Sequence, residues 1–233
     1  RPWHGRRMTS PEPVDDAPVT EHFSDPYGLR PTWRGWLHFA AFLVVMPAGI
    51  FLLAAADSIG AQVAVAVYWA SLAGLFATSA SYHRLARTHQ AVLWFRRADH
   101  SMIYVLIAGT YTPLCLIALP RIWGIPMLVV AWVTALAGVI LKMMRLGVGD
   151  RSSGSWLYIV MGWGAVITLP VLVTSLNAWQ LVLLGVGGVL YTVGAVILGK
   201  RRPDPAPTRF GYHEVWHSFT IAAGACHFAL VAS

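Results

Sequence analysis

Long apolar segments separated by short charged breaks constrain this 233-residue chain more than any other feature. A helix of about 20 residues crosses the hydrocarbon core of a bilayer. Segments of about that length lie roughly at 36–56, 61–82, 101–119, 123–144, 156–176, 178–199 and 213–232. Charged residues make up only 12% of the chain, about half the share found in soluble domains. We therefore predict an all-α, polytopic membrane protein with seven transmembrane helices.

Positive charge is distributed unevenly among the breaks. Breaks rich in Lys and Arg precede the first segment and follow the second, fourth and sixth, whereas the other three contain only Asp57, only Arg121 or no charge. The positive-inside rule then predicts a cytosolic N-terminus and an outside C-terminus, the arrangement of a plasma (inner) membrane protein. We divide the chain into a flexible cytosolic tail (1–34) and a transmembrane domain (35–233). The net charge of +7 forms no basic face, so the expected partners are membrane lipids and not nucleic acid.

Polar side chains gather at one predicted membrane level, near the cytosolic ends of three segments. Ser79 and His83 lie four residues apart in the second segment, and His213 and His217 have the same spacing in the seventh. Side chains four residues apart lie on one face of a helix. Asp99 is predicted to open the third segment at the same level. Polar groups at membrane depth are costly, which makes these five residues the candidate functional site.

Three histidines beside a carboxylate suggest a metal centre. Neutral imidazoles one helical turn apart can bind one Zn²⁺ ion, and three protein ligands leave a fourth position for water. A carboxylate can then deprotonate that water, and a hydroxyl can orient it. Taken singly, each residue has a simpler interpretation, such as a helix N-cap for Asp99 or a small packing residue for Ser79. These simpler roles would all have to occur together at one depth.

The remaining histidines are expected to lie outside this centre. His227 follows His217 by ten residues, about 15 Å along a helix, so we predict a buried, hydrogen-bonded side chain. We give His38, His89 and His100 interfacial or hydrogen-bonding roles. Cys115 and Cys226, the two cysteines of the chain, lie in apolar segments and are expected to be small buried hydrophobes.

Three stretches together, "SASYHRL", "WFRRADHSMIYVLIAGTYTP" and "HEVWHSFTIAAGACHF", resemble the signatures of the hemolysin III family. This family is the bacterial branch of the progestin and adipoQ receptor (PAQR) superfamily. The resemblance covers the chain from about residue 35 to its end. It implies seven helices, an N-terminus inside and a zinc ion near the cytosolic face. It also suggests that Pro113, in "GTYTP", kinks the third helix.

The resemblance assigns a role to each candidate residue. It implies that His83, His213 and His217 bind the zinc ion and that Asp99 contacts the water on it. Ser79 matches the serine of the family motif, and we expect it to position an oxygen. Animal relatives with this set of residues are associated with ceramide hydrolysis, and membrane homeostasis has been proposed for bacterial members.

The stretch "HEVWH" also matches the H-E-x-x-H pattern of zinc proteases. Such a protease needs a further ligand from a later helix, yet only sixteen residues follow His217 and none is acidic. We therefore disfavour an intramembrane protease. We expect Glu214 to face the cytosolic interface and to stabilise the start of its helix.

Three functions remain open at this stage. The first is a zinc-dependent hydrolase of a lipid amide or ester, with Asp99 and Ser79 as the catalytic residues. The second is a sensor or regulator of the membrane, in which zinc clamps helix ends together. The third is a pore-forming cytolysin. The sequence argues against this function, because no polar stripe runs through the full depth of the bilayer.

Overall fold

The computed structural model describes residues 30–145 and 156–233, and most of them are helical. Seven stretches are long and apolar enough to cross a membrane. They contain the helices α1 (Trp36–Ala54), α2 (Ile59–Leu85), α3 (His89–Pro113), α4 (Arg121–Arg145), α5 (Trp156–Trp163), α6 (Leu169–Ser175), α7 (Ala178–Lys200) and α8 (Tyr212–Ala232). The predicted all-α fold with seven spans is confirmed. The orientation of the termini in the membrane stays a prediction.

Helix α3 begins at His89 and not near residue 101, where the sequence analysis placed its start. Its N-cap is Thr88, whose side-chain oxygen accepts a hydrogen bond from the Ala91 backbone N–H at 3.2 Å. Asp99 therefore lies inside the helix, and the predictions that it opens or caps the helix are wrong. The predicted start followed the apolar residues, but helical backbone hydrogen bonds continue through the charged residues before Asp99.

Two of the predicted spans change helix type along their length. The third passes from α-helix to a π-helical turn, Leu114–Ala118, directly after Pro113, which is where we predicted a kink. The fifth consists of α5 and α6 with a 3₁₀ turn, Gly164–Thr168, between them. Pro170 occupies the first turn of α6, where its missing N–H leaves no helical hydrogen bond unmade.

The predicted short connection around Asn177 is confirmed. The Asn177 side chain caps α7 by accepting a hydrogen bond from the Gln180 backbone N–H at 2.9 Å. The Gln180 side chain in turn accepts from the Asn177 backbone N–H at 3.0 Å. This reciprocal pair satisfies two N–H groups that the helix itself leaves unpaired.

Helices α2 and α3 occupy the centre of the bundle. In their most apolar windows 44% and 61% of residues are buried, compared with 33% for α8 and at most 22% for the others. Helix α2 packs against α1 and α3, and α8 packs against α7 and α1. Because consecutive spans reverse direction, α1, α3 and α8 begin at the same end of the bundle where α2 finishes. We call this the histidine end, marked by Trp36, Leu85, His89 and Tyr212.

A short segment before α1, residues 30–35, ties two helices together at the histidine end. The Arg30 guanidinium donates to the backbone carbonyls of His83 and Ala86 at 2.8 and 3.1 Å. Two backbone N–H groups of the segment donate to carbonyls of the loop that leads into α8, at 3.2 and 3.1 Å. The predicted tail otherwise falls on residues 1–29, which lie outside the described ranges, so the domain boundary stays a prediction.

Candidate metal centre

Three histidines from two helices meet at the histidine end. His83 lies in the last turn of α2, and His213 and His217 lie in the first two turns of α8. One ring nitrogen of each lies within 4.8 Å of the corresponding nitrogens of the other two. The Nε2 atoms of His213 and His83 are 3.1 Å apart. The four-residue spacing in α8 presents both of its rings to α2, so the structure brings together the three histidines singled out in the sequence.

The chemistry of this triad suits a metal ion. His217 is fully buried, and neither of its ring nitrogens has a hydrogen-bond partner within the described part of the chain. An unpaired buried polar group is destabilising, and a metal ion would supply the missing partner. Two imidazole nitrogens bound to one tetrahedral Zn²⁺ ion lie roughly 3.3 Å apart, close to the separation of the His213 and His83 nitrogens. The centre could therefore hold a metal ion.

Ser79 and Asp99 form a hydrogen-bonded pair beside the triad. Ser79 precedes His83 by one turn of α2, and its hydroxyl donates to the Asp99 carboxylate of α3. Both side chains are buried. The Asp99 carboxylate lies outside the group of mutually close ligand atoms, so the serine connects the acid of α3 to the helix that carries His83. The catalytic roles of Ser79 and Asp99 stay predictions.

Two buried cations, Arg96 and Lys142, lie near His100, the residue after Asp99. Arg96, three residues before Asp99 on α3, is buried, and so is Lys142 near the end of α4. The Lys142 ammonium lies 5.2 Å from the centroid of the Tyr158 ring, and the Tyr158 hydroxyl donates to the His100 carbonyl at 3.0 Å. Lys142 lies near the end of the fourth predicted segment, and the charge pattern of the sequence grouped it with the basic residues of the break that follows. Its burial was not predicted because charge at a segment end usually indicates exposure.

The histidines that were expected outside the triad divide into two groups. His227 is buried, with Nε2 placed 3.4 Å from the Leu184 carbonyl, as predicted. His100 donates through Nδ1 to the Arg96 carbonyl at 3.0 Å, and His89 is exposed at the start of α3. These three side chains satisfy the simple interpretation that the sequence suggested.

His38 departs from that interpretation. Its ring stacks on the His217 ring with centroids 3.8 Å apart and planes inclined by 13°. The ring is buried, and neither nitrogen has a partner among the described residues. A signal was present in the sequence, since the third residue of a first span lies at the level of the triad. The depth argument was applied to the five candidate residues of the functional site and not to His38.

Glu214 was expected to face the interface, and this prediction is wrong. The side chain is fully buried. One carboxylate oxygen accepts from the Gly211 backbone N–H at 2.8 Å, and the other pairs with the Arg34 guanidinium. Its predicted role at the helix start is confirmed by the bond to Gly211. Arg34 neutralises the charge and links the segment before α1 to α8, at a residue that lies between His213 and His217 in the sequence.

Comparison with known proteins agrees with this architecture. The family described as "Haemolysin-III related" matches residues 28–228. The chain is 34% identical over 199 residues to a protein of Bacillus subtilis (strain 168) named "Hemolysin-3 homolog", covering 83% of this chain and 89% of that protein. It is also 34% identical over 198 residues to "Hemolysin-3" of Bacillus cereus, covering 83% and 86%. With its seven membrane-spanning helices, the chain belongs to the haemolysin-III-related family of multi-pass membrane proteins.

Proposed function

We propose that this protein is a zinc-dependent hydrolase that cleaves an amide or ester bond of a membrane lipid, in the manner of a ceramidase, and so contributes to membrane homeostasis. One observation carries the proposal. The three histidine ligand atoms lie within 4.8 Å of one another, and Ser79, one turn before His83 on α2, hydrogen-bonds to the Asp99 carboxylate. A metal site with an oriented carboxylate next to it is the arrangement used for hydrolysis.

The triad would bind the metal ion and leave one ligand position open for the reaction. His83, His213 and His217 would hold a Zn²⁺ ion through three imidazole nitrogens, which is the ligand count of a catalytic zinc site. When bound, Zn²⁺ supplies a Lewis acid that polarises a carbonyl group and lowers the pKa of bound water toward about 7. A metal ion binds the neutral form of imidazole, so each of the three histidines would be deprotonated in the metal-loaded protein.

Asp99 would move the protons of the reaction. Its carboxylate accepts a proton from the attacking water, whose oxygen adds to the carbonyl carbon of the lipid. The C–N or C–O bond then breaks, and Asp99 returns the proton to the departing amine or alkoxide. Ser79 holds one carboxylate oxygen through its hydroxyl, which fixes the direction of the acid. The lipid would enter from the membrane, since the bundle presents apolar side chains outward.

A structural role for zinc is the second candidate, and one observation favours it. His217 is fully buried, and the triad joins α2 to α8 where the segment 30–35 already connects them. Zinc could thus clamp these helix ends in a membrane sensor or regulator. Asp99 separates the two candidates, because a structural ion needs the three histidines and not the neighbouring acid.

Elemental analysis and a lipid assay test both candidates. Purified wild-type protein should contain about one zinc per chain, and His213→Ala should contain almost none. Zinc-loaded protein should hydrolyse ceramide or another N-acyl lipid. Asp99→Asn should keep the zinc and the thermal stability while turnover falls at least about 100-fold.

The outcomes are distinct. Carefully prepared wild-type protein without bound metal would remove the basis of both candidates. Equal turnover in wild type and Asp99→Asn would exclude the hydrolytic role of the acid. Zinc binding together with no turnover of any amide or ester lipid would favour the structural role.

A further inference from the structure

The three-ligand centre and the Ser79–Asp99 pair leave His38 without a role. Its side chain is 1% exposed, and both of its ring nitrogens lack a hydrogen-bond partner among residues 30–145 and 156–233. Because the side chain is so deeply enclosed, bulk water and lipid do not contact it. A hydrogen-bond partner from outside the protein would have to be a molecule bound within the bundle. A polar ring in this position is destabilising unless something outside the protein satisfies it.

His38 belongs to α1, but its ring contacts the histidine triad of the candidate metal centre. One face of its ring stacks on His217 at 3.8 Å, and the Phe76 ring lies on a further side with centroids 5.1 Å apart. A metal ion lies in the plane of the imidazole that binds it. Since the His38 ring is parallel to His217 and one stacking distance away, His38 flanks such an ion rather than sharing it.

Packing alone does not account for a histidine here. A phenylalanine would offer the same flat face to His217 and bury no nitrogen. The ligand atoms that lie mutually within 4.8 Å belong to His83, His213 and His217 and exclude His38. Its nitrogens therefore lie beside the ligand set, with hydrogen-bonding capacity that no described protein group uses.

We propose that His38 is a ligand-binding residue of the centre, whose ring hydrogen-bonds to the non-protein molecule in the fourth metal position. That molecule would be the water that the proposed hydrolysis consumes, and a small anion would compete with it for the same contact. The inference rests on the proposed function in requiring a metal ion on the triad. It adds a contact from α1 to a site otherwise built by α2, α3 and α8.

Azide binding to the cobalt-loaded protein tests this contact without any substrate. Co²⁺ accepts the same ligands as zinc and absorbs visible light, so azide in the fourth position changes its spectrum. His38→Phe keeps a flat ring against His217 and removes both nitrogens. We expect unchanged cobalt content and azide affinity weakened about tenfold, as for one hydrogen bond to a charged group. His38→Leu serves as a second variant, with the same expected result, if the phenylalanine variant does not fold.

A matched control is available in the same protein. His227→Phe makes the identical substitution at another buried histidine, and it should leave both cobalt content and azide affinity within about twofold of wild type. Thermal unfolding in detergent shows which variants are folded.

Three results would overturn the inference, and they differ from one another. Unchanged azide affinity in a folded His38 variant would make the ring a packing residue only. Loss of cobalt from that variant would make His38 a support of the triad itself. A wild-type protein that binds no cobalt and no zinc would instead defeat the proposed metal centre, irrespective of His38.

Discussion

Each half of α8 contains a buried histidine, but the two histidines have different neighbours. His217 in the first half and His227 in the second are both buried. His217 faces His83 and His213 as part of a group of close ligand atoms. His227 instead packs on α7, with its Nε2 directed to the Leu184 carbonyl at 3.4 Å. Burial and residue type are equal, so the neighbouring helix decides which histidine can serve as a metal ligand.

The neighbouring helix differs because ten residues, at about 100° each, turn His227 about 80° away from the face of α8 that carries His217. At the histidine end, α2 brings a polar residue, His83, to α8. Deeper in the bundle α8 meets α7 at Gly187, where an added Cβ would lie 2.4 Å from the His227 Nε2 atom. Small residues allow close approach of helices in membranes. The first half of α8 therefore forms a site, and the second half forms a close helix contact.

The largest expected effect separates the two halves by their response to zinc. At free zinc 1,000 times above its Kd, binding should stabilise the wild-type protein by about 4 kcal/mol. His217→Ala should abolish this stabilisation, because the triad loses a ligand. His227→Ala should retain it in full, whatever its own stability. Thermal unfolding in detergent, with and without zinc, measures the difference, and a loss of the zinc response in both variants would erase the distinction between the halves.

The ion pair at the start of α8 should give the next largest effect. Arg34→Met leaves the fully buried Glu214 carboxylate without its cation, which should cost about 3 kcal/mol. Adding Glu214→Gln removes the uncompensated charge and keeps an acceptor for the Gly211 N–H. The double variant should therefore recover most of the loss.

Unfolding free energies of wild type, the two single variants and the double variant complete this cycle. Additive losses in the double variant would show that the pair does not act as a unit. They would also remove the segment before α1 as a support for the histidine half of α8.

Hydropathy and the four-residue spacing made much of this arrangement predictable. The seven spans follow from the need to satisfy backbone groups inside a membrane. The pair His213 and His217 follows from helical periodicity, and the third histidine follows from its depth. The sequence reports depth well because polar residues at membrane depth are rare.

The directions of side chains and the ends of helices were harder to predict from the sequence. The start of α3 was misplaced because apolarity identifies the part of a helix in lipid and not the part beyond it. The burial of Glu214 depends on Arg34, which lies 180 positions away in the chain. The stack of His38 on His217 likewise depends on how α1 packs against α8. Such pairings are properties of three-dimensional packing, which no single segment encodes.

The smallest expected effect tests the close helix contact in the second half of α8. Gly187→Ala would place a methyl group against the His227 ring, and the resulting overpacking should destabilise the protein by about 1 kcal/mol. Gly185→Ala is the matched control, since no other part of the described chain comes within 4 Å of its added Cβ, and alanine there should be neutral or slightly stabilising. Both variants should keep the full zinc content, because neither touches the triad. A loss of zinc in Gly187→Ala alone would show that His227 and the metal centre are coupled along α8, and that the two halves are one functional unit.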